Sequence, residues 1–328
     1  MGRATRSIQN SFESCMSSCM DRVDRCIKYI EPFLAVAAVG LVLLDVYSFF
    51  SFIVSRIVSR SGSAAAALHT LWALWLLFNV IWNQAHCTLT SPGTTTEVHE
   101  QALQLAMTHS WRWCRKCNRG KPPLAHHCSV CNRCVLKMDH HCVWMANCVG
   151  FYNYRFFVLY LLYMWVGAAY SAAVHWAYVP GLLKLDEPGG AGMLPFFMFV
   201  LSASVWLALS ALLGWHVWLV LTGQGTIDYL DNSSREAEAR AAGRRWVNPY
   251  HLGAGANWRE TFDVHGRWWW LAWVLPTRRR KLGNGYVLPQ VDPGGSLLGA
   301  MGSAALPLRS GTAAAGSGSI GSGNSNFV

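Results

Sequence analysis

Charge is what this sequence has least of. Only 13% of its 328 residues are charged, against roughly 25% in a typical soluble domain. Acids are the scarcer sign, with 17 Asp and Glu against 27 Lys and Arg. That balance excludes an ordinary water-facing enzyme or an acidic solvating chain. No short apolar segment with a small-residue cleavage site follows the polar N-terminal stretch, so no removable signal peptide is expected. No ankyrin-like repeat or SH3-like recruitment module is visible either.

What stands in place of charge is apolar surface. The chain is 52% hydrophobic and carries 17 tryptophans, which suits a protein with two membrane–water interfaces. A net charge of +10 on such a chain points to anionic lipid and polyanionic cofactors, and away from nucleic acid.

Four stretches are long and apolar enough to cross a bilayer core of about 30 Å: residues 33–55, 64–86, 155–178 and 197–221. Asp45 interrupts the first; a structural hydrogen bond inside the bundle is expected for it. Arg56 to Ser63 makes a short turn between the first two, and Val179 to Gly192 links the last two. Lys and Arg number five in residues 1–32, seven in 87–154 and eleven after 222, against two and one in the short links. The positive-inside rule then places both termini and segment 87–154 in the cytosol. Residues 222–282 should form a cytosolic region with a Trp-rich membrane-surface piece at 268–273. The Gly/Ser/Ala-rich tail 283–328 should be disordered. Cys15, Cys19 and Cys26 lie just before the first span, where cysteines are either acylated or plain surface residues.

The rest is organised around Cys114 to Cys148, where seven cysteines and four histidines occupy 35 residues. Cys-x-x-Cys pairs interleaved with histidine suit zinc better than disulfides, and thiolate ligands need a reducing compartment. Tetrahedral zinc takes four donors. Six cysteines and two histidines would fill two sites and leave one thiol over. Cys142 follows Asp139 and His140, which could orient a proton and take it, so it is the nucleophile candidate. In the alternative all seven cysteines are structural, in a membrane-anchored zinc-binding scaffold or adaptor without catalysis.

Asp139-His140-His141-Cys142, with His127-Cys128-x-x-Cys131-x-x-Cys134 before it and Asn147-Cys148-Val149-Gly150 and Asn153 after it, resembles the DHHC cysteine-rich domain of protein S-acyltransferases (palmitoyltransferases). The likeness is most specific from Cys114 to Phe156, and extends to the number and order of the spans. Pro is usual after the nucleophile; here Val143 stands there, as in plant-type members. Leu124 replaces a basic residue, Ser91-Pro92-Gly93 replaces Asp-Pro-Gly, and Gly225-Thr226-Ile227-Asp228 stands for Thr-Thr-x-Glu. Asn248, Tyr250 and Asn257 fit the family's C-terminal motif.

The resemblance implies an all-α polytopic membrane fold: four transmembrane helices, with a small loop-rich cytosolic domain binding two structural zincs between the second and third. One zinc would take Cys114, Cys117, His127 and Cys134; the other Cys128, Cys131, His141 and Cys148. His126 would remain outside both. Cys142 would attack a fatty acyl-CoA such as palmitoyl-CoA, with His140 as base and Asp139 orienting it. The acyl group would pass to cysteines of membrane-associated proteins, in the Golgi first, or else the ER or plasma membrane. Arg112, Arg133 and Lys137 are candidates for the CoA phosphates, or else form a solvated basic face. Gly167, in the small-residue patch Gly167-Ala168-Ala169, should either allow close helix packing, which small residues favour in membranes, or deepen a cavity for the acyl chain.

Overall fold

The computed structural model describes residues 2–95, 111–178, 193–279, 281–291 and 297–298, with side chains left aside at 2–14, 17 and 21. The expected link at 179–192, most of the approach at 94–110, and the tail from 299 lie outside the described residues.

Three helical runs are long and apolar enough to cross a membrane: Ser18–Leu89, Tyr154–Tyr178 and Met193–Thr222. The first is two helices. Helix α1 (Gly2–Ser48) passes through a π-helical turn at Phe49–Ile53 into α2 (Val54–Leu89). Within α2, Gly62 has φ 86° and ψ 168°, a left-sided conformation open to glycine, and the chain reverses there. Gln84 Nε2 donates to the Ala35 carbonyl at 3.3 Å. A straight helix would hold those residues about 74 Å apart at about 1.5 Å per residue. The turn expected over residues 56–63 is therefore almost wholly helical and narrows to the one glycine.

Helices α3 (Tyr154–Tyr178) and α4 (Met193–Thr222) complete the bundle. Arg60 Nη1 donates to the Ala177 carbonyl at 2.8 Å, and His69 Nδ1 meets the Tyr170 hydroxyl at 2.8 Å. These contacts put the Gly62 turn beside the C-terminal end of α3. Inside the bundle Asp45 finds a partner: Ser171 Oγ donates to it at 2.7 Å, and Ser202 Oγ donates to Ser171 Oγ at 3.1 Å.

Between α2 and α3 the chain is not loop alone, which corrects an all-α description. Six three-residue strands form three antiparallel hairpins: β1 (Arg112–Cys114) with β2 (Arg119–Lys121), β3 (His126–Cys128) with β4 (Arg133–Val135), and β5 (His140–Cys142) with β6 (Asn147–Val149). Their first strands begin at 112, 126 and 140, a 14-residue repeat. Asn118, Asn132 and Ala146 close the three turns with φ of 50°, 50° and 47°. Ser91-Pro92-Gly93 packs on this domain's edge: Ser91 Oγ accepts the Gly93 N–H at 3.3 Å, and the Gly93 carbonyl accepts the Leu136 N–H at 2.9 Å.

The domain is bolted to the helices by two buried amides. Asn147 Nδ2 donates to the carbonyls of Cys87, Thr88 and Thr90 at 3.0–3.2 Å. Asn153 Nδ2 donates to Cys87 and Cys148 carbonyls at 3.1 and 2.8 Å, and its Oδ1 accepts the Gly150 N–H at 2.8 Å. The α2 end would otherwise leave bare carbonyls.

After α4, Gly223 (φ 66°) and Gln224 donate back to Val220 and Leu219 carbonyls at 3.1 Å each, a Schellman close. Helices α5 (Thr226–Ala241), α6 (Ala254–Phe262) and the short α7 (Trp269–Ala272) follow. Asn248 Nδ2 donates to the Thr222 carbonyl at 3.1 Å and Asn257 Nδ2 to the Leu221 carbonyl at 2.9 Å, tying this region to the end of α4. Disorder expected from residue 283 begins too early. Tyr286 and Leu288 are buried against Leu136 and Phe151, Tyr286 Oη donates to the Thr94 carbonyl at 3.0 Å, and β7 (Gln290–Val291) pairs with β8 (Leu297–Leu298).

Asn153→Ala orphans the buried Gly150 amide, at a cost of about 1–3 kcal/mol. The expected outcome is a lower Tm for the detergent-solubilised protein; an unchanged Tm would remove Asn153 from this role.

Candidate active site and metal centres

The repeat explains the ligand pattern. In the first two hairpins a cysteine ends the first strand and a second sits three residues on: Cys114 and Cys117, Cys128 and Cys131. The next hairpin supplies a histidine and a cysteine placed directly opposite each other, His127 with Cys134 and His141 with Cys148. Cys114, Cys117, His127 and Cys134 bring their donor atoms within 4.8 Å of one another, and Cys128, Cys131, His141 and Cys148 do the same. Each cluster thus staples one hairpin to the following one. The third hairpin has no follower. Cys142 occupies the place of Cys114 and Cys128, but Met145, buried, stands where the chelating partner would be.

The donor sets fit zinc. Around one Zn²⁺, sulfurs at about 2.3 Å and nitrogens at about 2.0–2.1 Å lie about 3.5–3.8 Å apart. In the first cluster His127 Nδ1 lies 3.2, 3.6 and 3.8 Å from Cys117, Cys114 and Cys134 Sγ, and Cys134 Sγ lies 3.6 Å from Cys117 Sγ. In the second, His141 Nδ1 lies 3.4–3.6 Å from the sulfurs of Cys128, Cys131 and Cys148, and Cys148 Sγ lies 3.5 Å from Cys131 Sγ. Sulfurs so spaced are not disulfide-bonded. Among the described residues every cysteine is free.

Strand geometry separates the side chains of residues 140–142. Successive side chains of a strand point to opposite faces. His141 faces the metal cluster, so His140 and Cys142 share the other face. His140 Nδ1 lies 2.7 Å from Asp139 Oδ2, and His140 also reaches the Cys142 thiol with its side chain. Burial opposes the imidazolium, but the Asp139 bond and the nearby Cys142 outweigh it and push the His140 pKa up to about 9. Asp139 is buried, which resists ionisation; the His140 bond and the Thr226 N–H prevail and hold it below the usual carboxylate range.

Helix α5 fixes that carboxylate. Thr226 donates its backbone N–H to Asp139 Oδ1 at 2.8 Å and its hydroxyl to Oδ2 at 3.1 Å. Asp139 therefore sits as an anion at a helix N-terminus, where the backbone dipoles favour it. Asp228 accepts the Gly225 N–H at 2.9 Å, and burial raises its pKa to about 6. A Cβ on Gly225 would lie 3.0 Å from Asp139 Oδ1, so glycine keeps this approach open.

Cys142 and His140 open into a cavity of about 680 Å³ between the helices. Its wall is mainly apolar and includes Leu76, Val80, Phe157, Leu161, Met164 and Gly167. Along α3 the lining runs from Phe157 to Val174, about 25 Å of helix axis. Asp45, Ser171 and Ser202 lie at its far end. Nothing lies within 4 Å of a Cβ built on Gly167, so its missing side chain is cavity space rather than a close helix contact.

The three residues considered for CoA phosphates occupy different surroundings. Arg112 is exposed on β1; Arg133 Nη2 donates to Asn147 Oδ1 at 3.4 Å; Lys137 borders a small cleft with Asp139, Glu260 and Lys281. His126 belongs to neither cluster. Two functional neighbours carried no local signal in sequence. His216 on α4 lies beside His140, its ring tilted by 47° with centroids 6.1 Å apart, and Tyr154 Oη bonds its Nδ1 at 3.1 Å. Glu31 on α1 accepts from His141 Nε2 at 2.6 Å. Its nearest relevant residue lies 110 positions away, so only the fold brings it there.

Apolar helices carrying a Cys/His domain, with one unligated thiol opening on an apolar cavity, define an integral membrane protein built to handle a lipid-like group on sulfur. The chain belongs to the DHHC palmitoyltransferase family, whose domain matches residues 107–233. It is 34% identical over 275 residues to a probable protein S-acyltransferase 16 of Arabidopsis thaliana, covering 77% of this chain and 91% of that protein. Similarity extends to a probable protein S-acyltransferase 13 of the same plant (32%, covering 64% and 70%) and to a human palmitoyltransferase ZDHHC20 (38%, covering 49% and 42%). The activity is protein S-acyl transfer.

Carboxylates behind a ligating histidine typically strengthen metal binding 10- to 100-fold. Glu31→Gln is expected to weaken the hold on zinc at the second cluster roughly tenfold against a competing chelator, leaving the first unchanged. Equal release from both clusters in variant and parent would count against the contact.

Proposed function

We propose that Cys142 is the nucleophile that carries the acyl group, with His140 as its base and Asp139 holding the base in place. The observation that carries this is the isolation of one thiol. Of seven cysteines in the domain, Cys142 alone lies outside both clusters, and it sits beside the half-buried His140, paired to the buried Asp139, at the wall of an apolar cavity.

The reaction then runs in two balanced exchanges. His140 takes the Cys142 proton, and the thiolate attacks the thioester carbonyl of a fatty acyl-CoA. The C–S bond to CoA breaks, and the departing thiolate takes the proton from His140. A cysteine thiol of a membrane-associated protein gives its proton to His140 and attacks the acyl-Cys142 thioester in turn, freeing Cys142. Each exchange swaps thioester for thioester, so the protein's task is positioning and proton transfer. Asp139 keeps Nδ1 occupied, which leaves Nε2 for the sulfur.

Zinc at the two clusters would be structural, filling closed four-donor sites in a domain with little core of its own. Cys114, Cys117, His127 and Cys134 would hold one ion; Cys128, Cys131, His141 and Cys148 the other. Four crossings are supported by the reversal at Gly62, with both termini and the metal domain cytosolic by their basic residues. Arg112, Arg133 and Lys137 remain the candidates for the CoA phosphates, and the Golgi the first compartment to test.

An acyl chain in this cavity would gain about 0.8 kcal/mol per buried CH₂, with Gly167 as part of the wall around it. A clickable palmitate analogue is expected to label the protein through a hydroxylamine-sensitive bond. Cys142→Ser should abolish that label while two zincs are retained. Persistent label would exclude Cys142 as nucleophile; lost zinc would make it a ligand. Gly167→Phe should shift the acyl-CoA preference toward shorter chains, and an unchanged chain-length profile would remove Gly167 from the cavity's working wall.

A further inference from the structure

Another cavity, of about 650 Å³, lies between the end of α4 and α5 and shares no lining residue with the one at Cys142. Its wall is polar and basic. Arg240, Arg244, Arg245 and His251 face it, with Glu236 the one acid among its lining residues.

Most of the lining polar groups are already spent. Arg240 Nη2 donates to Glu236 at 2.9 Å, so the acid is neutralised in place. Asn248 Nδ2 is used on the carbonyls of Thr222 and Gly223, and Asn232 Nδ2 donates to Gln224 Oε1 at 2.9 Å. Asn257 Nδ2 donates to His251 Nδ1 at 2.7 Å, which makes the other ring nitrogen of neutral His251 an N–H donor. What remains is rich in donors. Arg244 and Arg245 are exposed and have no carboxylate partner among the described residues. Trp246 Nε1 is buried with no hydrogen-bond partner, and Arg235 stacks over that indole at 5.3 Å. A buried donor left unpaired is uncommon and asks for an acceptor.

Position identifies the source of that acceptor. Thr222 ends α4, a helix long and apolar enough to cross a membrane, and lines this cavity. Trp218 and Leu221, just before it, are exposed. The cavity thus opens at the level where an apolar span meets water, which is where lipid phosphates lie.

We propose that this cavity binds the phosphorylated headgroup of an anionic membrane lipid, with Arg244 and Arg245 as the phosphate partners and Trp246 Nε1 as the neutral donor. The inference rests on the membrane reading and is independent of which thiol carries the acyl group. Planar guanidinium groups suit phosphate because they donate in pairs. Helix α5 has Arg240 in this wall and Thr226 on Asp139, so headgroup site and catalytic carboxylate are held by opposite ends of one helix.

The test uses the full chain in detergent, titrated calorimetrically with a short-chain, water-soluble phosphatidylinositol bisphosphate. Saturable binding at one site is expected. Arg244→Gln with Arg245→Gln should weaken it roughly tenfold or more, as loss of a charged hydrogen bond implies. Glu236→Gln should tighten it, since the acid goes and Arg240 is released. All three positions are exposed, and unchanged zinc content and Tm would verify folding. Equal binding by the parent and the double variant would overturn the site. Inorganic phosphate and coenzyme A form separate arms. Weak phosphate binding that needs the same two arginines supports the site. Coenzyme A binding that falls with the double variant as much as lipid binding would overturn the lipid assignment.

Discussion

Everything at the centre of this protein depends on the two-residue period of one short strand. His140, His141 and Cys142 are adjacent in sequence, yet the pleat sends the middle one to a metal cluster and the outer two to a cavity among the helices. Three residues thereby join a domain of Cys/His clusters to an apolar cavity. A shift of register by one residue would turn Cys142 toward the cluster and His141 toward the cavity, exchanging thiol and imidazole between the two. The neighbouring strand prevents that slip, because His141 lies opposite Cys148 and both belong to the same cluster.

The same strand ties three distant parts of the chain together. Asp139 accepts from the N-terminus of α5, His141 meets Glu31 on α1, and Asn147 on the paired strand closes the end of α2. These are buried or half-buried polar contacts, which cost free energy when broken and so define a specific arrangement. Apolar packing among the helices is less directional. The polar contacts decide where along the bundle the thiol opens, and hence which part of a lipid substrate it meets.

Much of this was legible in the sequence. The seven cysteines and four histidines read as eight metal donors, the pair His140 and Cys142 next to Asp139, and a spare histidine, and the two clusters in space contain those eight donors. Apolar length located the helices. Two things misled. The helical turn around Gly62 looked like an ordinary polar loop because Arg56, Arg60 and several serines lie there. The stretch after Gly283 looked disordered from its composition, although Tyr286 and Leu288 find buried places against the metal domain. The departures Ser91 and Asp228 proved to keep backbone contacts that their side-chain oxygens can make.

By itself the sequence determined the chemistry: which side chains can bind metal, which thiol is left over, and which segments belong in lipid. Those follow from residue type and local spacing, which act over a few positions. Only the tertiary structure decided the partners of that chemistry. Glu31 behind His141, His216 beside His140, Thr226 on Asp139 and the serines around Asp45 each come from another element, and local spacing carries no record of them. The 14-residue repeat joins the two levels. It is written in the sequence, but its meaning, that each Cys/His cluster joins one hairpin to the next and the last hairpin keeps a thiol outside both clusters, appears only when the hairpins are seen side by side.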